Sequence, residues 1–113
     1  MILSELNTII ETLGLPVETG VFSDEPPDEY IILTPMADVF EVFADNIPQS
    51  ETQEVRVSLF SKDNYIKRKN AIAKALLAAD FTITDRRYIG YESDTEFHNY
   101  CIDCSKINDL MEE

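Results

Sequence analysis

The sequence predicts an α+β domain: a mixed five-stranded sheet with two helices packed against it, in the order α-β-β-β-α-β-β. Three observations predict it. Segments near residues 2–13 and 63–79 repeat apolar residues at helical spacing, whereas those around 30–60 and 81–105 place them as strands do. Most of the prolines and glycines fall between these segments rather than inside them. The 113 residues, 44% of them hydrophobic, suffice for one modest core, so a single domain over residues 1–113 is expected. A sheet and a helix each carry an apolar face, and packing helices on the sheet covers both.

Leu3, Leu6, Ile10 and Leu13 recur every three or four residues, with polar residues between them, which predicts a helix from Ile2 to Leu13. Gly14 suits its left-handed C-terminal cap, and Pro16 prevents continuation. Residues 15–29, LPVETGVFSDEPPDE, read as an acidic, turn-rich connector. Tyr30 to Thr34 is apolar on both faces and reads as a covered strand, which Pro35 ends or bulges. Asp38 to Ala44 forms the next strand, and a polar loop, DNIPQSET, leads to a third at residues 54–60. There Val55, Val57 and Leu59 point inward and Glu54, Arg56 and Ser58 outward. The last two strands form a hairpin with a long polar tip.

Ser61 or Asp63 can cap the second helix. Tyr65, Ile72, Leu76 and Ala79 trace its buried stripe, with Lys69 and Ala73 alongside. A fourth strand runs from Phe81 to Tyr91, with an irregularity at Asp85-Arg86-Arg87. A turn over Gly90 to Glu96 leads to a fifth strand, Phe97 to Ser105.

Charge is distributed unevenly. Net charge is −13; residues 1–54 carry twelve acids and no base, while residues 55–113 carry ten acids and nine bases. Five of those nine, Lys62, Lys67, Arg68, Lys69 and Lys74, lie on or beside the second helix. Such a face can be plain solvated surface, a protein interface or a nucleic-acid stripe. Asp63 and the overall negative field count against the last, since nucleic-acid binding depends on neutralising phosphates. No apolar run approaches the roughly 18 residues of a membrane span. The N-terminal MILSELNTIIETLG has neither a basic n-region nor a small-residue cleavage site. The expectation is a soluble protein made inside the cell, with no membrane partner.

Candidate chemistry is sparse. Cys101-Ile102-Asp103-Cys104 has the C-x-x-C spacing of a redox pair or half a zinc site. In a strand, however, residues three apart face opposite ways, and His98 is the one histidine available as a further ligand. The cysteines read as packed, reduced filler, and His98 as structural or surface. Gly14, Gly20 and Gly90 are too scattered for a phosphate loop. The acidic stretch DEPPDE lacks the glycine and closing glutamate of a calcium loop. Neither a catalytic residue, a cofactor nor a metal is expected.

The runs EYIILTPMADVFEVFADN, QEVRVSLFSKDNY and ALLAADFTITDRRYIGYESDTEFHNYCID, within residues 3–106, resemble the small tail-assembly proteins of long-tailed bacteriophages and prophages. That group comprises tail-terminator, tail-completion and head-to-tail joining proteins. The likeness rests on element order and texture, since no catalytic motif supports it. It implies a structural virion protein that caps the tail tube and joins it to the head connector as a hexameric ring. Its partners would be its own copies, the tail tube protein and a head-completion or connector protein. It would reside in the virion, and in host cytoplasm during assembly. The hairpin tip, Asp45, Asn46, Ile47, Pro48, Gln49, Ser50 and Glu51, would contact the tube or a neighbour.

A ring is built from two unlike patches on each subunit. The charge asymmetry suggests that Lys67, Arg68, Lys74, Arg86 and Arg87 face Asp24, Glu25, Asp28 and Glu29 of the next copy. The alternative is a non-enzymatic adaptor or regulatory domain that binds a basic protein partner through its acidic half.

Overall fold

The computed structural model describes residues 2–21, 25–44 and 47–109, with side chains at 41–44, 47–49, 108 and 109 outside the described set. The elements are α1 (Ile2–Thr12), β1 (Val17–Thr19), β2 (Glu29–Ala44), β3 (Ile47–Ser61), α2 (Tyr65–Ala78), β4 (Thr82–Glu92) and β5 (Phe97–Asp109). They form one five-stranded sheet in the order β1-β2-β3-β5-β4. β1 and β2 are parallel and every other neighbouring pair is antiparallel, so the sheet is mixed. The α+β class and the order α-β-β-β-α-β-β are those the sequence predicts.

Both helices cover one face. Ile2, Leu6 and Ile10 of α1 and Ile72 and Leu76 of α2 are buried against Ile31, Leu33, Val55, Val57, Leu59, Ile102 and Cys104. Tyr65 and Ala79 pack on this core as the helical stripe requires. α1 closes in a Schellman arrangement. Leu15 N–H donates to the Ile10 carbonyl at 3.4 Å and Gly14 N–H to the Glu11 carbonyl at 2.9 Å, with Gly14 at φ +79°. α2 closes the same way without a glycine. Phe81 N–H reaches the Leu76 carbonyl at 3.0 Å and Asp80 N–H the Leu77 carbonyl at 3.1 Å, which places Asp80 at φ +65°. Phe81 and Leu76 are both buried, which supplies the apolar contact that accompanies this cap.

The element boundaries differ from expectation in six places. The connector 15–29 contains β1, tied to β2 by Ile31 N–H to the Pro16 carbonyl at 2.8 Å and Gly20 N–H to the Leu33 carbonyl at 3.0 Å. The strands expected at 30–34 and 38–44 are one strand, because β3 pairs along the whole of it; a bulge between Pro35 and Ala37 lets the ladder pass the proline. The loop expected at 45–52 is mostly strand, since Ala44 already pairs with Ile47. The cap of α2 is Asn64, whose Oδ1 accepts from Lys67 N–H at 3.1 Å, rather than Ser61 or Asp63. Ser61 is instead buried and accepts from Asp63 N–H at 3.1 Å. β4 runs through Glu92, so the turn is shorter than Gly90–Glu96, and β5 continues to Asp109.

The result is an elongated molecule, 54 × 25 × 22 Å. Its core ends near Pro35 and Val55, whereas β2, β3 and β5 run on beyond the helices. This extension is an arm.

Candidate interaction surface

Register alone assigns the arm's faces. Gln53 lies on the same side of β3 as Val55 and Val57, hence on the helix-covered side, and it pairs with Asp38. Phe40 and Glu51, one pair further out, lie on that side too. Val39, Thr52 and Ile107 form a row across three strands on the opposite side. Met36 (48% exposed), Val39 (47%), Phe40 (55%) and Ile107 (64%) are open to solvent on this arm. Apolar side chains on both faces of a projecting hairpin are the pattern of a contact surface.

The second surface is the flank of α2 and β4. Two bulges in β4 set its alignment on β5, pairing Arg86 with Ile102, Tyr88 with Tyr100 and Tyr91 with His98. Those three β5 residues share the helix side, so Arg86, Tyr88 and Tyr91 line it at the sheet's edge. The Tyr88 hydroxyl lies 2.9 Å from His98 Nδ1, and the His98 ring stacks obliquely on Tyr65 (5.0 Å) and Tyr91 (4.8 Å). Lys69 sits 4.8 Å over the Tyr100 ring. Tyr88, Ile89 and Tyr91 remain 43%, 50% and 52% exposed. Sequence reading missed this cluster; its signal was the run of aromatics at 88, 91, 98 and 100, which becomes one patch only through the bulges.

The expected interface residues divide into four groups. Glu29 is engaged within its own chain: Arg68 Nε donates to Oε1 at 3.1 Å and the Ser61 hydroxyl to Oε2 at 2.9 Å. Asp28 lies 3.7 Å from Lys62, and Arg87 pairs with Asp85 at 2.6 Å. Lys67, Lys74 and Arg86 are exposed and, among the described residues, have no ion pair. Glu25 is exposed. Asp24, Asp45 and Asn46 lie outside the described residues, as do the side chains of Ile47, Pro48 and Gln49. Ser50 and Glu51 lie on β3, half-buried.

The helix-free face is polar at its centre and aromatic at one end. Arg56 makes a two-pronged contact with Asp103, at 2.8 and 3.1 Å, and this hydrogen bonding raises the guanidinium pKa further. Tyr30 stacks on Phe60 at 4.8 Å with Phe97 edge-on at 5.3 Å, beside an open cleft of about 460 Å³ that Gly20, Val21 and Pro26 help to wall. Burial, and secondarily the Glu92 carboxylate, push the Tyr30 phenol up.

Cys101 and Cys104 are both buried and free, and they face opposite ways. Cys101 lies 3.6 Å from the Ser58 hydroxyl on the helix-free side, while Cys104 donates to the Val55 carbonyl at 3.6 Å within the core. Burial, and then Asp103, push the Cys104 thiol up to about 12. Among the described residues no group of three or more His, Cys, Asp or Glu is placed to hold a metal ion, and no helix is long and apolar enough to cross a membrane. No family model and no curated protein matches the sequence.

Proposed function

We propose that the chain is a structural protein of a bacteriophage or prophage tail that assembles with its own copies into a closed ring, caps the tail tube and joins it to the head connector. The supporting observation is the arm: a hairpin reaching past the helices, with Met36, Val39, Phe40 and Ile107 exposed on it. Strand pairing carried beyond a hydrophobic core gains little stability by itself, so such an extension suits contact with another subunit. The sequence likeness to tail-assembly proteins supplies the tail context.

Electron microscopy of particles assembled without this protein tests the reading. Overlong tails or tails separated from heads are expected; normal virions would overturn it.

A further inference from the structure

Two surfaces of this chain are complementary to each other in charge. The arm segment, residues 34–54, carries Asp38, Glu41, Asp45, Glu51 and Glu54 and no base. The α2–β4 region, residues 65–92, carries six bases against Asp80, Asp85 and Glu92. Within that region Lys67 and Lys74 stand two turns apart, so they share a stripe of α2, and the register places Arg86 on the helix side of β4. Among the described residues these three have neither an ion pair nor, like Lys69 over Tyr100, an aromatic ring beneath them. Each surface also exposes aromatic area: Phe40 on the arm, Tyr88 and Tyr91 on the flank.

We infer that the arm of one copy seats on the α2–β4 flank of a second copy. Phe40 packs against Tyr88 and Tyr91, and Asp38 and Glu51 face Lys67 and Arg86. The other pairings are disfavoured by charge. Arm against arm would gather carboxylates, and flank against flank would gather cations. The contact is therefore head-to-tail, the kind that closes rings when its rotation permits. This replaces Asp28 and Glu29 as the acidic side of the contact, since both are occupied by Lys62 and Arg68 of their own chain. The inference rests on the proposed function only in taking a second copy as the occupant.

Two charge-reversed proteins test it: an arm variant, Asp38→Lys with Glu51→Lys, and a flank variant, Lys67→Glu with Arg86→Glu. All four positions lie on the surface or half-buried, and circular dichroism checks that each variant folds. Light scattering is expected to show self-association weakened about tenfold in each variant alone. An equimolar mixture restores association, because an intact arm meets an intact flank and the reversed arm and reversed flank are again opposite in charge. As a second readout, Phe40→Cys mixed with Tyr91→Cys forms an intermolecular disulfide, whereas neither does so alone; the native thiols are buried. Unchanged association of the variants, crosslinking of Phe40→Cys to itself, or a wild type that stays monomeric at all concentrations would overturn the contact. None of these bears on the tail phenotype, which particle microscopy reads separately.

Discussion

Replacing Cys104 by alanine should change how stability depends on alkaline pH. The thiol is raised from 9.0 to about 12 in the folded chain, chiefly because Cys104 is buried. In the unfolded chain it ionises near the ordinary value, so between these pH values the folded state holds a proton that the unfolded state has lost. The sign follows: stability falls as pH rises above about 9. For two-state unfolding the thiol alone costs about 0.4 kcal/mol at pH 9, about 1.4 at pH 10 and about 2 at pH 10.5. Alanine removes this loss together with the buried sulfur, whose absence costs about 1–2 kcal/mol at every pH. Tyr30 and the lysines also titrate in alkali, so the informative quantity is the gap between wild type and variant, from urea unfolding at pH 7.5 and 10.5. The gap should close by about 2 kcal/mol, and can change sign. A gap constant to within about 0.5 kcal/mol would mean that Cys104 meets water in the folded state, and the placement of β5 against the core would be wrong. The same burial predicts that neither cysteine reacts with a thiol reagent until the protein unfolds.

Asp80→Gly should stabilise the domain by about 0.5–1 kcal/mol, because a side chain at φ +65° is strained and glycine is not; a thermal melt would show a rise of a few degrees. Leu6→Ala, at a fully buried position on the core face of α1, should cost about 2–5 kcal/mol in urea unfolding. A double-mutant cycle on Arg68 and Glu29 should give coupling below about 1 kcal/mol, since the Arg68 side chain is 38% exposed, and it should shrink with salt. Coupling that persists in molar salt would place the pair in a far drier setting than the structure does.

Legibility in the sequence followed the physics of each segment. α1, α2 and the inner half of β3 were readable because burial imposes a period: Leu6 and Ile10, Ile72 and Leu76, Val55 and Val57. β1 was not, since three residues between Pro16 and Gly20 are too few to show alternation. The outer halves of β2 and β3 were hidden for a different reason. Strand pairing is made by backbone groups, and where no core lies against it the side chains can be as polar as Gln-Ser-Glu-Thr. The interface residues were half legible. Sequence marks Arg68 as a cation and Glu29 as an acid, but they are 39 positions apart, and only the β2–β3 pairing brings Glu29 beside the start of α2. Whether an acid serves its own chain or the next one is a fact of topology.

That distinction explains the crowding of positive charge on one helix. Of the nine bases, Arg56, Lys62, Arg68, Arg87 and Lys106 pair with carboxylates of the same chain, and Lys69 rests on Tyr100. Three of these five pairs, at Lys62, Arg68 and Lys106, reach acids in the base-free first half: Asp28, Glu29 and Glu5. Those three pairs help to hold the first half of the chain to the second. The cations left over are few. Lys67, Lys74 and Arg86 are exposed on α2 and β4, opposite in sign to the arm's β2–β3 segment, residues 34–54, whose charged residues are all acids. Exposed charges of this kind contribute little to affinity and much to orientation. In the proposed contact the apolar area of Phe40, Tyr88 and Tyr91 would hold the copies together, while the leftover cations would select which surface meets which.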